Sequence, residues 1–152
     1  MKQHNLGINL DHNSRNIVTS TFGTKESKFK DADKNKALKL TDSNAMILCE
    51  DGDEIEGFVV SLEPALVDGL SYGSCVLHAP LARMYVTGDD LKFGDFVVCG
   101  SQTSPGTSNV NLNHPLNQYG TTVVKKGNPV TFKWRVIAKD PRKPNLFLIQ
   151  AV

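Results

Sequence analysis

Apolar residues recur along most of the chain in short runs that alternate with polar positions and end at Gly, Asp or Pro. A period of two is typical of β-strands with one buried face. The clearest run is 130–138, in which every second residue from Val130 onward is apolar. Eight further runs predict strands at 37–40, 45–49, 55–62, 75–77, 82–87, 96–99, 121–125 and 146–152.

Helical periodicity is weak throughout the chain. The best helical candidate, residues 62–70, contains Pro64 and Gly69 and would form one or two turns at most. Short strands separated by Gly and Asp turns predict a mainly β fold, either an antiparallel β-barrel or a jelly-roll-like β-sandwich. Gly57, inside one predicted strand, is interpreted as a bulge or as a point where two backbones approach closely.

Residues 1–36 are more polar than the rest and contain too few apolar residues for a core of their own. Leu6, Ile8 and Leu10 alternate with smaller or polar residues, which indicates an extended segment with one apolar edge. Such a segment could add as a strand to a partner, form an edge strand of its own domain, or remain a tail. We predict an extended N-terminal arm over 1–36, with Leu6, Ile8, Leu10 and Ile17 as its partner contacts.

The remaining residues, 37–152, are predicted to form one β-domain with a long polar loop at 101–121. Loops of this length are uncommon in compact domains and often serve a function or lack order.

Charge is segregated along the chain although the formal net charge is only +1. Lys and Arg number seven against four Asp and Glu in 1–36, one against eight in 37–80, and seven against one in 115–152. The acidic and basic stretches could face each other within one fold, or meet between neighbouring copies. The candidate interface charges are Glu50, Asp53, Glu54, Glu56, Lys125 and Lys126.

Reactive side chains form no recognisable catalytic or metal-binding motif. The three cysteines are far apart in sequence and lie beside apolar runs, which predicts buried, reduced thiols. None of the four histidines pairs with another ligand at metal-site spacing. Glu54 and Glu56 would share a strand face, but no third group is present to orient them as an acid and a base. We therefore expect no enzymatic activity, no cofactor and no bound metal.

Binding to nucleic acid or to a membrane is also not predicted. Trp134 alternates with the cations of the basic C-terminal stretch, so it points away from them, whereas a stacking surface for nucleic acid needs both on one face. No run of about eighteen apolar residues could span a membrane, and the N-terminus does not resemble a signal peptide. We expect synthesis in a host cytoplasm and no binding to nucleic acid or membrane.

Several short sequence motifs, taken together in their order along the chain, resemble those of small structural proteins of tailed phages. They are residues 37–41, 51–59, 61–65 with 68–69, 91–98, and 133–137. The similar family comprises head decoration proteins, also described as cement or capsid-stabilising proteins, in which Gly-Asp turns precede short hydrophobic strands. The resemblance covers about half of the chain. It implies a compact β-domain without catalytic residues, placed on the capsid exterior where neighbouring capsid proteins meet.

The function expected from these observations is that of a virion structural protein. It would bind the outer capsid surface and stabilise contacts between major capsid protein subunits, as a homo-oligomer such as a dimer or trimer. One alternative is another virion component: a tail, head-completion or fibre-attachment protein. A less favoured alternative is a small-ligand-binding or enzymatic β-barrel, in which Glu54, Glu56 and His78 would be the first residues to examine.

Overall fold

The computed structural model describes residues 17–24, 29–30, 33–42, 45–63, 70–101, 122–141 and 145–152, without the side chains of 17–20. Within these ranges the chain forms strands, turns and no α-helix, which confirms the mainly β prediction. The strands are β1 Ile17–Phe22, β2 Ala37–Leu40, β3 Met46–Leu48, β4 Gly57–Glu63, β5 Ser71–Leu77, β6 Arg83–Gly88, β7 Phe96–Cys99, β8 Val123–Lys126, β9 Trp134–Lys139 and β10 Leu146–Ala151.

The strands close into two barrels of five, one formed by β1–β5 and the other by β6–β10. Around the first barrel the order is β1-β3-β2-β4-β5, and all pairs are antiparallel except β1 with β3. Around the second barrel the order is β6-β8-β7-β9-β10, and all pairs are antiparallel except β6 with β8. Adding five to each strand number of the first barrel gives the second, so the chain contains one topology twice.

The duplication extends to the turn that precedes the second strand of each barrel. In the first barrel the N–H of Lys30 donates to Asp33 Oδ2 at 2.7 Å, and the N–H of Asp33 donates to the Lys30 carbonyl at 2.8 Å. In the second barrel the N–H of Lys92 donates to Asp95 Oδ2 at 2.9 Å, and the N–H of Asp95 donates to the Lys92 carbonyl at 3.0 Å. A side-chain cap of this kind satisfies backbone groups that the turn would otherwise leave unpaired.

Each barrel has its own apolar interior, and the residues before the two equivalent turns, Phe29 and Leu91, are buried in the first and the second interior respectively. The first interior contains Phe22, Phe29, Leu38, Val59, Leu62 and Cys75. The second contains Met84, Val86, Leu91, Val97, Cys99, Val124, Trp134, Val136, Phe147, Ile149 and Ala151. Ala37, Phe58 and Val76, on the other face of the first barrel's strands, join the second core and fasten the barrels together.

A β-bulge in β4 changes which residues of this strand point into the first barrel, while Phe58 of the same strand packs into the second core. Val59 pairs with Cys75 and Ser61 pairs with Ser74, so one residue of β4 has no counterpart on β5. The extra residue lets Val59 and Leu62, three positions apart, point into the same interior. At Gly57 an added Cβ would lie 2.4 Å from the carbonyl oxygen of Val76, which confirms the close-approach interpretation of this glycine.

Part of the predicted arm belongs to the first barrel. Ile17 begins β1 and pairs with Val76, and the strand stays paired with β5 up to Phe22. The arm contacts Leu6, Ile8 and Leu10 lie outside the described residues and stay a prediction. The predicted loop likewise falls outside them, apart from Ser101. A deletion that removes the arm but keeps the barrel therefore stops at residue 16.

The strand predicted over 130–138 begins four residues later than its pattern indicates. β9 starts at Trp134, and Val130 is 80% exposed rather than buried. The physical reason is a turn at 130–132, whose backbone N–H groups point at the side chain of Glu54 instead of at a neighbouring strand. Only Trp134 and Val136 of the predicted alternating set are buried.

Candidate functional site at the junction of the two barrels

Two connections at equivalent places in the two barrels meet at the junction between them. Residues 49–56 join β3 to β4, and residues 127–133 join β8 to β9. The Glu54 carboxylate accepts three successive backbone N–H groups, from Val130 at 2.5 Å, Thr131 at 2.9 Å and Phe132 at 2.8 Å. Consecutive N–H groups of this kind form a concave anion-binding nest. Here the anion comes from the chain itself, so Glu54 holds one barrel's connection against the other's.

The environment of Glu54 favours its ionised form. Desolvation raises the pKa of this carboxyl group, but the hydrogen bonds from Phe132, Val130 and Thr131 lower it, and the charge of Lys133 acts in the same direction. The net result is a pKa below the ordinary value. A lowered pKa in the folded state means that ionisation of this group stabilises the fold.

We expect Glu54→Gln to change how stability depends on pH. The wild-type carboxylate contributes stability above its unfolded-state pKa and loses it as the pH falls through the lower folded-state value. At pH 7 the variant should be less stable by about 1.5–3 kcal/mol, the range for hydrogen bonds to charged groups. The gap should shrink between about pH 5 and pH 3. Urea unfolding at a series of pH values measures it, with Glu63→Gln, at an exposed position of β4, as the control. A gap that is independent of pH would contradict the assignment.

The other candidate interface charges are also engaged within the chain. Asp53 Oδ2 accepts the N–H of Glu50 at 2.7 Å and lies 2.5 Å from Lys39 Nζ. The hydrogen bond that Lys39 donates to Asp53 is the main reason that the pKa of Lys39 is raised, and Glu50 lies 3.6 Å from the same ammonium group. Glu56 Oε1 accepts the N–H of Leu40 at 3.1 Å.

Lys125 and Lys126 bind carboxylates of two different turns. Lys125 Nζ lies 2.9 Å from Asp51 Oδ1 in the first barrel, and Lys126 Nζ lies 2.8 Å from Asp95 Oδ1 in the second. The hydrogen bond from Lys126, followed by that from the N–H of Lys92, lowers the pKa of Asp95. The Lys125 pair thus joins the acidic stretch of one barrel to the basic stretch of the other inside one molecule. Contacts of these charges with a neighbouring copy stay a prediction.

The three residues named for an enzymatic alternative each bind a different backbone group. Glu54 holds the 130–132 turn, Glu56 holds Leu40, and His78 Nε2 lies 2.9 Å from the carbonyl oxygen of Lys133. The His78 ring also packs edge-on against Trp134, with ring centres 5.3 Å apart. In these positions the three side chains tie the two barrels or neighbouring strands together.

The cysteines are buried and free, as predicted. Burial raises the pKa of Cys75 to about 11. A hydrogen bond with Cys99, together with burial, raises the pKa of Cys49 well above its ordinary value. Thiols held in the protonated form are poor nucleophiles at neutral pH, so Cys49 and Cys75 serve as packing residues.

A feature that the sequence analysis missed is the exposed aromatic residue Phe93. It occupies the turn between Lys92 and Asp95, and 78% of its surface is exposed. The turn is fixed to β9, because the N–H of Gly94 donates to the carbonyl of Val136 at 2.9 Å and the N–H of Val136 donates to the carbonyl of Asp95 at 2.9 Å. The sequence signal is an aromatic residue directly before a Gly-Asp pair, a turn position where a large apolar side chain has no core to enter.

Within the described ranges, no group of three or more His, Cys, Asp or Glu side chains is placed to hold a metal ion. No helix in that part of the chain is long and apolar enough to cross a membrane. Comparisons of the chain with protein-family models, with curated proteins and with solved structures gave no match.

Proposed function

We propose that this protein is a structural component of a phage virion. It binds the outer capsid surface and stabilises the contacts between major capsid protein subunits, as a decoration or cement protein does. The observation that carries the docking role is Phe93, a large apolar side chain held outward on a rigid turn. The wider assignment to a capsid depends on the resemblance of the ordered motifs, one of which, 91–98, includes this turn.

The Phe93 turn has the properties of a binding anchor. Four backbone and side-chain contacts fix it: the Asp95 cap on Lys92, the Lys126 ion pair, and the two hydrogen bonds with Val136. A side chain on a turn that is already ordered loses little conformational entropy on binding. Burying a Phe side chain contributes about 1.5–3 kcal/mol. Such a contact is weak alone but strong when many symmetry-related copies bind one shell.

The proposal includes the N-terminal arm as a second contact. Leu6, Ile8 and Leu10 would add apolar area to the same attachment, and oligomers would place several arms on one capsid axis. β1 begins at Ile17, opposite Val76, so any arm enters the first barrel close to the linker that leads to β6. The protein would thus act as a β-structured body with one fixed anchor and one added segment.

We expect the purified protein to co-sediment with purified phage heads at hundreds of copies per particle, and Phe93→Ser to weaken this binding about tenfold. The matched control is Tyr72→Ser, which removes an aromatic residue that is 56% exposed on the first barrel. Quantitative gel analysis of the pellet gives both affinity and copy number. About a dozen copies or fewer would favour a connector or tail role instead. Absence of binding, or equal loss in both variants, would contradict the proposal.

A further inference from the structure

The duplicated topology identifies one cross-strand row that occupies the same place on both barrels. In the first barrel the row is Ala37, Phe58 and Val76, which are direct partners across β2, β4 and β5. In the second barrel the corresponding row is Phe96, Arg135 and Gln150. Phe96, the first residue of β7, pairs with Arg135, the second residue of β9, and Arg135 pairs with Gln150 of β10.

A fourth strand extends each row by one residue. Val76 pairs with Ile17, the first residue of β1, and Gln150 pairs with Arg83, the first residue of β6. The two rows are therefore equivalent residue by residue.

The equivalent rows have different surroundings. In the first barrel Ala37, Phe58 and Val76 are buried, because the row packs against the second barrel. In the second barrel neither Arg135 nor Gln150 is fully buried, and both belong to the outer face of the sheet. In the part of the chain that the structure describes, no further domain covers this surface of the second barrel. There the row keeps the apolar Phe96 but carries Arg135, Gln150 and Arg83 in place of apolar residues.

Two arginines dominate the changed row. Arg83 Nε donates to Gln150 Oε1 at 2.8 Å, which fixes one guanidinium group. Arg135 Nε is buried and has no hydrogen-bond acceptor among the residues that the structure describes. In the part of the chain that the structure describes, no carboxylate lies within 4.0 Å of either guanidinium group. A buried N–H group without an acceptor is costly, and a carboxylate is the acceptor that fits the planar fork of a guanidinium group.

Neighbouring positions on this face add apolar area and one more cation. Two positions along the strands from Gln150 and Arg83, on the same face, Leu148 of β10 pairs with Tyr85 of β6. The ladder between β6 and β10 ends at Arg83 and Gln150. Leu81 and Val152, two residues beyond these ends, are 55% and 57% exposed, and Val152 donates its N–H to the carbonyl of the exposed Lys133. We call the set Leu81, Arg83, Tyr85, Lys133, Arg135, Leu148, Gln150 and Val152 the arginine face.

We propose that the arginine face is a docking surface for an acidic protein segment. Its carboxylates would bind Arg83 and Arg135 through paired N–H groups, and its apolar side chains would cover Leu81 and Val152. Arg and Tyr are the residue types enriched at the energetic centres of protein interfaces. The aliphatic rim and the partly buried Tyr85 suit a protein better than a nucleic acid, which needs exposed aromatic rings for stacking. The inference goes beyond the proposed function, since it concerns any acidic partner, on a capsid or elsewhere.

The test uses fluorescence polarisation with a short labelled peptide of alternating glutamate and valine, and its glutamine counterpart as the control peptide. The full-length protein should bind the glutamate peptide, and the double variant Arg83→Gln with Arg135→Gln should weaken binding at least about tenfold. The matched variant Lys30→Gln removes an exposed cation from the first barrel and should leave binding unchanged. Thermal unfolding of each variant confirms that the barrels remain folded.

The same titrations identify the outcomes that overturn the proposal. These are no binding of the glutamate peptide, equal binding of the glutamine peptide, or unchanged binding by the double variant. Binding of a labelled oligodeoxythymidylate tests whether the arginine face recognises nucleic acid instead. If it binds in an arginine-dependent way and the peptide does not, the face recognises nucleic acid and the proposal is wrong.

Discussion

Replacing Trp134 by alanine is expected to lower the free energy of unfolding by about 3–5 kcal/mol, the range for removing a fully buried aromatic side chain. Trp134 is completely buried where the barrels meet. Its Nε1–H donates to the carbonyl of Ile55 at 2.8 Å, and its ring packs edge-on against Phe58 with centres 5.1 Å apart. The substitution therefore opens a cavity in the second core and removes a hydrogen bond between the barrels.

Urea unfolding at neutral pH measures the effect of this substitution. Trp134→Phe separates its two causes, because phenylalanine keeps most of the apolar volume but leaves the Ile55 carbonyl without its donor, a loss of about 1–3 kcal/mol. Phe93→Ala is the matched control on an exposed aromatic residue and should stay within about 0.5 kcal/mol of wild type. If Trp134→Ala were as mild as Phe93→Ala, the junction would not be a shared core.

The second large effect is expected at Gly73. An added Cβ there would lie 2.0 Å from the carbonyl oxygen of Ser61 and 3.1 Å from the Cα of Leu62, so two paired strand backbones would have to separate. We expect Gly73→Ala to cost at least about 3 kcal/mol, the upper end for overpacking, because no flexible side chain can give way. Thermal and urea unfolding measure the loss.

The control for Gly73 is a second glycine, Gly52, at which an alanine would be unfavourable for a different reason. Gly52 has φ +92 and nothing within 4 Å of an added Cβ, so Gly52→Ala meets only backbone strain, about 1–2 kcal/mol. Equal stabilities of the two variants would mean that β4 and β5 separate easily at the bulge. A Gly73→Ala protein that is soluble but lacks a cooperative transition would support the steric explanation.

Strand positions were predictable where a strand has one buried face or a short apolar run. The bounds of β2 and β7 match the pattern exactly in residues 37–40 and 96–99. β1 was assigned to the arm because four of its six residues are Thr, Ser or Phe next to polar neighbours, and its pairing with β5 is a long-range contact that no local pattern contains. The start of β9 was wrong because the competing partner of the 130–132 backbone, Glu54, lies about eighty positions away.

The two barrels escaped sequence analysis because little besides topology is repeated. The two barrels share one short sequence motif, in which an apolar residue is followed by Lys, then by any two residues, then by Asp. It occurs from Phe29 to Asp33 and from Leu91 to Asp95. Such a short pattern becomes meaningful only once both turns are seen to precede the second strand of a barrel. The segregated charge was visible, but its pairing was not, since an ion pair such as Lys125 with Asp51 depends on how the barrels pack. The arginine face could not be predicted, because it depends on the pairing register of β6, β9 and β10, which the sequence does not contain.

The repeated topology also shows which place in the fold the long connection between β7 and β8 occupies. The connection between β2 and β3 is a tight hairpin, closed by the N–H of Thr41 donating to the carbonyl of Ala45 at 2.9 Å. Its counterpart in the second barrel, between β7 and β8, spans residues 100–122 and is closed at its base by Gly100 and Val123. The two equivalent connections therefore differ greatly in length although each joins the second and third strands of its barrel. For protein engineering, the longer connection is a natural graft site, where a displayed epitope could replace the native loop without altering the strand ladder beneath it.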